Sequence, residues 1–211
     1  MKTLLKKQLL RTLAPCLTLV LTCSALTLSA QDSENLLVNP GFEEEPYFNG
    51  WTRFDAQFNA SIANFNPHLG TNSYKVFGQF NGKENYSGLF QDFPAKPGDK
   101  FEASAFAFID SKDAMAAGNS AWIEVKFQDA TYQDIKWFKS DVSVDSESVT
   151  DTWTPLTVSG AEAPEGTVVV RIQINFRQES EGKGATFFDD ISLEKVGEGA
   201  AAPAAPAAGQ P

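Results

Sequence analysis

Val168-Val-Val-Arg-Ile-Gln-Ile-Asn-Phe-Arg177 is the stretch whose reading decides the fold. Val168, Val170, Ile172, Ile174 and Phe176 fall on one face of an extended chain, and Val169, Arg171, Gln173, Asn175 and Arg177 on the other. An antiparallel strand with one face in a core and one in water has this alternation, because successive side chains point to opposite sides. Two further segments repeat it. Ala121, Ile123, Val125 and Phe127 oppose Trp122, Glu124, Lys126 and Gln128. Phe101, Ala103, Ala105, Ala107 and Ile109 oppose Glu102, Ser104, Phe106 and Phe108.

Working outward, strands are expected at 36–38, 73–80, 88–93, 135–140, 152–158 and 186–194. Pro94-Ala-Lys-Pro-Gly98 and Ala163-Pro-Glu-Gly166 supply turn chemistry, and 110–120 reads as a surface loop. Helical periodicity is nearly absent. Nine or so strands at this spacing predict an all-β, two-sheet antiparallel jelly-roll sandwich.

The ends of the chain are of a different kind. Residues 1–30 have Lys2, Lys6, Lys7 and Arg11 before an apolar run from Leu13 to Leu28, and Leu28-Ser-Ala30 offers small residues for cleavage before Gln31. This is the pattern of a secretory signal, and the run is short for a membrane span, so a secreted or periplasmic domain with no span after cleavage is expected. Residues 31–196 form the domain, and the Ala/Pro-rich stretch 197–211 reads as a flexible tail. Both cysteines, Cys16 and Cys23, precede residue 31, so the mature chain has no disulfide or thiol chemistry. Loss of residues 1–30 removes 4 of the 17 basic residues and none of the 27 acidic ones, which leaves 13 against 27 and a net charge of −14. That balance argues against nucleic acid, whose phosphates demand a basic footprint, and is compatible with neutral glycans and with cations.

Two bracketing motifs carry a resemblance. The first is Asn35-Leu-Leu-Val-Asn-Pro-Gly-Phe-Glu43 followed by Gly50-Trp51, and the second is Ala185-Thr-Phe-Phe-Asp-Asp-Ile-Ser-Leu193. Between them stand Gly70-Thr-Asn-Ser-Tyr-Lys-Val76, Gln91 with Pro97-Gly98, Asp151-Thr-Trp153 with Leu156, and Ala163-Pro-Glu-Gly166. In this order and spacing they resemble the carbohydrate-binding modules of the CenC-like group, families 4, 9 and 22, which have a galactose-binding-domain-like jelly roll.

The resemblance implies a structural calcium held by Glu43, Asp189 and the carbonyls of Gly41 and of Asn72 or Lys75, a hard-oxygen set of the kind calcium takes. Asp189 is preferred to Asp190 because it shares parity with Phe187, Ile191 and Leu193 and therefore points inward. Glu44 and Glu45 compete with Glu43. The resemblance also implies a polysaccharide partner. Sugars are held by flat aromatics and by amides or Arg, so Trp122, Phe106, Phe108, Arg171, Gln173 and Asn175 are the candidate contacts, provided that their strands share a sheet. Tyr47, Phe54, Tyr86 and Tyr132 lie near turns and offer a loop-end site as the alternative. Trp51 and Trp153 are read as structural, and one of the adjacent pair Trp137 and Phe138 must face outward.

No hydrolase elbow or phosphate loop is present, and His68, the single histidine, is read as a surface loop residue. The leading expectation is a non-catalytic sugar-binding module. Its rivals are a structural or adhesion sandwich that keeps the calcium without a sugar site, and a small glycosidase working with two carboxylates.

Overall fold

The alternating segments become the centres of two facing sheets. In the computed structural model, residues 34–55 and 58–199 are described. The strands are β1 (Thr52–Phe54), β2 (Ala60–Ala63), β3 (Ser73–Phe77), β4 (Asn85–Pro94), β5 (Lys100–Phe108), β6 (Ser120–Gln128), β7 (Asp134–Lys139), β8 (Val144–Asp145), β9 (Trp153–Glu162), β10 (Val169–Gln178) and β11 (Ala185–Gly197). One sheet runs β1-β4-β10-β6-β7, with β8 added to β6; the other runs β2-β3-β11-β5-β9. Every pairing is antiparallel. The jelly-roll sandwich expected from the alternation is the observed fold. No helix among the described residues is long and apolar enough to cross a membrane. The expected signal at 1–30 and the tail beyond 199 lie outside the described residues.

The core fills the space between the sheets. Val170, Ile172, Ile174 and Phe176 of β10, with Ile123, Val125 and Phe127 of β6 and Leu89 of β4, meet Tyr74, Val76, Phe101, Leu156, Phe188 and Leu193 from the other sheet. The small residues of β5, Ala103, Ala105 and Ala107, make room for these larger partners. Phe138 packs edge-on against Phe127, so it is Trp137, 61% exposed, that faces outward.

Several expectations need correction. Residues 36–38 form no strand. Their place is fixed by side chains instead: Val38 N–H donates to Gln91 Oε1 and Gln91 Nε2 donates back to the Val38 carbonyl. Asn35 Oδ1 accepts from Leu193 N–H and Leu37 N–H while Asn35 Nδ2 donates to the Ile191 carbonyl. β1, β2 and β8 were not expected; at three, four and two residues they are too short to show an alternation. The domain also runs past 196, because Gly197 ends β11 opposite Lys100 and Gly199 N–H donates to Asp99.

Asn39 organises the turn that follows. Its side chain donates to the Glu44 and Tyr47 carbonyls and accepts from Glu44 N–H, and its own carbonyl accepts from the Trp51 indole. It does this from the left-handed region, at φ 49°, which Asn tolerates better than most residues. Truncation leaves the Glu44 and Tyr47 carbonyls and the Glu44 N–H without this partner and strains the backbone. Asn39→Ala is therefore expected to cost about 2–4 kcal/mol in denaturant unfolding. A loss below about 0.5 kcal/mol contradicts this role for Asn39.

Candidate functional site

The polar face of β10 lies on the outside of the first sheet, and pairing register sets what surrounds it. Asn175 is flanked by Gly88 of β4 and Trp122 of β6, and Gly88 is flanked in turn by Phe54 of β1. The next row places Thr52, Phe90, Gln173, Glu124 and Lys139 side by side, and the row beyond it Asp92, Arg171, Lys126 and Trp137. At the opposite end stand Tyr86, Arg177 and Ser120. Aromatic, amide and charged groups thus alternate across five strands. Glycine at 88 keeps the row low, since a Cβ there would lie 2.9 Å from the Phe54 ring edge and would strike the Ile174 carbonyl.

Most charges on this face are already paired, Lys139 over the Trp122 ring being the exception. Arg171 makes a two-point contact with Asp92 at 2.7 and 2.8 Å and covers the Phe90 ring at 3.6 Å. Lys126 bridges Glu124 and Asp134. Trp122 is only 8% exposed: its indole N–H donates to Glu124 at 2.7 Å, Lys139 lies over its ring, and Tyr86 meets it edge-on. Trp122 is therefore a floor element, and Tyr86, 42% exposed, is the aromatic that water reaches at that end. Gln173 Nε2 donates to Asn175 Oδ1, which leaves Gln173 Oε1 without a protein donor among the described residues.

The six expected sugar contacts divide between the two sheets. Trp122, Arg171, Gln173 and Asn175 share the face just described. Phe106 and Phe108 belong to β5 in the other sheet, so the condition that joined them to the rest is not met. Phe108 is buried between Phe187 and Trp153, and Phe106 is stacked under His68 with ring centroids 3.7 Å apart. His68, expected at the surface, is held half-buried by this stack. Phe54 and Phe90 were not among the expected contacts of the face. In the sequence Phe54 and Tyr86 read only as a loop-end alternative, and Phe90 lies within a strand whose parity Gly88 hides.

A second group of residues gathers where the chain ends meet. Asp189 is fully buried, but for a reason other than its parity. Phe187 and Asp189 pair opposite Phe108 and Phe106 on the outer side of β11. The register then shifts between Asp189 and Ser192, where Asp190 takes φ 47°, and this bulge returns Ile191 and Leu193 to the core. Asp189 is buried because the 65–72 loop lies over it: His68 N–H and Leu69 N–H donate to Oδ2 at 2.8 and 3.3 Å, and Asp190 N–H donates to Oδ1. Burial nevertheless pushes its carboxyl up to about 6.

Glu43 binds the same loop from the other side. Burial raises its pKa, but hydrogen bonds from the Thr71 hydroxyl, Thr71 N–H and Asn72 N–H outweigh this and hold it below the usual range. Asn72 also donates to the Phe42 carbonyl. Lys75 lies further along β3, opposite Phe187, with its ammonium on Asp113 at 2.8 Å. Gly41 sits between the acids; a Cβ there would lie 3.5 Å from Asp189 Oδ1 and 3.7 Å from Asp190 Oδ1.

These residues fit a hard cation in their chemistry. The Asp189 and Asp190 carboxyls meet beside Gly41, while the Glu43 carboxylate turns to Thr71 and Asn72; among the described residues no Lys or Arg pairs with any of the three, and His68 Nδ1, 2.6 Å from Asp190 Oδ2, is the one basic neighbour. No three His, Cys, Asp or Glu side chains among the described residues are grouped to hold an ion by themselves, so a cation here would also draw on carbonyls.

No family model matches the sequence, and no curated protein matches it. Solved structures do. The xylan-binding domain CBM22-1 of Paenibacillus barcinonensis Xyn10C is 16% identical, with a TM-score of 0.52 over 82% of this chain and 100% of that one. The C-terminal family 22 module of Clostridium thermocellum Xyn10B is 12% identical, with a TM-score of 0.52 over 76% of this chain and 97% of that one. The CBM22-1–GH10 portion of Clostridium thermocellum xylanase 10B, solved with xylohexaose, is 18% identical, with a TM-score of 0.56 over 79% of this chain, which spans 29% of that larger one. What the protein shares with these structures is their fold, a two-sheet antiparallel jelly-roll sandwich.

Proposed function

We propose that the protein is an exported, non-catalytic carbohydrate-binding module that holds a polysaccharide on the outer face of its first sheet. The observation that carries the reading is the set of rows in which Phe54, Tyr86, Phe90 and Trp122 are interleaved with Asn175 and Gln173 on a face whose charges are mostly paired internally. Aromatic faces take the C–H side of a pyranose, and the amides take its hydroxyls. The likeness in fold to modules solved with or named for xylan supports the class of partner. The reading is non-catalytic because the acids of the face are engaged, Asp92 with Arg171 and Glu124 with Trp122 and Lys126, whereas glycosidase chemistry needs a pair held ready across a cleft. The one acid raised well above its usual range, Asp189, lies away from this face.

We propose further that calcium is a structural partner of the acid group. Asp189 and Glu43 would hold it, with carbonyls of the 41–43 and 70–72 segments completing the shell. Calcium would supply no chemistry beyond neutralising the carboxylates and tying the first loop to the last strand.

Two outcomes are expected. The domain should be retained on at least one polysaccharide in a panel of xylans, β-glucans and galactans, and Tyr86→Ala and Gln173→Ala should each weaken that retention at least about tenfold while leaving the melting temperature nearly unchanged. Unaltered affinity in both variants removes this face from consideration.

For the cation, chelation should lower the melting temperature of the wild type. In the chelated protein the Asp189 carboxyl titrates higher folded than unfolded, so its contribution is present below about pH 4 and is lost as pH rises through about 6, a change of up to about 3 kcal/mol. Asp189→Asn should flatten that pH dependence and abolish the chelator response. A wild type indifferent to chelator between pH 4 and 8 argues against the cation.

A further inference from the structure

The row Trp122, Asn175, Gly88, Phe54 crosses β6, β10, β4 and β1 in order, about 14 Å at the usual strand spacing. It stops at β1, the edge of the sheet. The residue after Phe54 is Asp55, and Asp55 lines a cavity of about 470 Å³ between the end of β1, the start of β2 and the turn after β3. The cavity therefore opens next to the β1 end of the row, one residue along the chain from Phe54.

Its lining has the same chemistry as the face. Phe58, 93% exposed, and Phe80, 43% exposed, offer two phenyl rings that the core does not use. Asp55 has no hydrogen-bond or ion-pair partner among the described residues. Asn59 spends its amide N–H groups on the Phe77 carbonyl and the Ser87 hydroxyl, which leaves its Oδ1 without a donor among the described residues. Gln79 joins cavity to face through its contact with the Tyr86 carbonyl. Two acceptors with no partner among the described residues, set beside apolar rings, suit a neutral group rich in hydroxyl donors and repel an anion. The volume lies within the range of small-ligand sites.

We propose that this cavity is an end subsite of the glycan groove: a neutral oligosaccharide lies across the strands from Trp122 to Phe54, and its terminal sugar is seated among Asp55, Asn59, Phe58 and Phe80. The inference rests on the glycan-binding reading. Asp55 and Asn59 accept hydroxyl protons of the terminal sugar, and Phe58 packs on its ring. The site makes affinity depend on chain length, because only an oligosaccharide long enough to cover the row reaches the cavity.

The test is titration calorimetry of the full domain with the tri- and hexasaccharides of β-1,4-xylose, β-1,4-glucose and β-1,4-galactose. In the series that binds, the wild type should take the hexasaccharide about tenfold more tightly than the trisaccharide. Phe58→Ala and Asp55→Ala should each erase that gain and leave trisaccharide affinity unchanged, whereas Gln173→Ala should weaken both. Phe58 is too exposed for its truncation to disturb folding, and an unshifted melting temperature checks this. Equal hexasaccharide affinity in wild type, Phe58→Ala and Asp55→Ala overturns the end subsite and leaves the face reading intact. No heat with any sugar in the wild type overturns both.

Discussion

The constraint on which the rest depends is the two-fold alternation of the central strand β10. It pairs with β4 on one side and β6 on the other along almost its whole length, so each of its residues fixes what stands beside it on two neighbours. The inward set, Val170, Ile172, Ile174 and Phe176, is fully buried and anchors the core. The outward set, Arg171, Gln173, Asn175 and Arg177, must then share one surface with the outward residues of four other strands. A slip of one residue would bury the amides and expose the core, so burial itself locks the register that assembles the face.

The acid group answers a different problem. The first described residues and the last strand must be joined without a disulfide. Asn35 does this with neutral hydrogen bonds to Leu193 and Ile191, and backbone bonds from Leu36 to Leu193 and from Ile191 to Pro40 add to them. The 65–72 loop adds charged ones, closing over Glu43 and Asp189. The bulge at Asp190 makes this possible, because it turns Asp189 to the outer side without losing the core register of Ile191 and Leu193. Asp189 and Asp190, side by side at this bulge, carry more negative charge than the single His68 offsets, and that surplus is the physical case for a cation.

How much of this is legible in the sequence follows from what alternation encodes. It tells which residues of one strand share a side, so the core faces of β5, β6 and β10 and the outward set of β10 could be read directly. It does not tell which strands share a sheet, and so Phe106 and Phe108 were grouped with Trp122 although they lie under His68 in the other sheet. Parity also fails across a bulge. Asp189 was assigned inward by counting from Leu193, and the left-handed residue between them reverses that count. Short edge strands such as Thr52-Arg-Phe54 have too few residues to alternate, which hid Phe54 and with it the edge of the face. Exposure within the face is a property of neighbours: Trp122 has outward parity, yet Lys139, Tyr86 and Glu124 enclose it.

The most direct measurement of the central claim is backbone and side-chain amide NMR of the domain during titration with a xylo-, cello- or galacto-hexasaccharide, with calcium present. The account predicts shifts concentrated at Gly88, Phe90, Gln173 and Asn175 and at the Trp122 indole, with the outer side of the second sheet, around Ser104 and Thr157, unmoved. Shifts confined to that second sheet, or none with any of the three sugars, would contradict it.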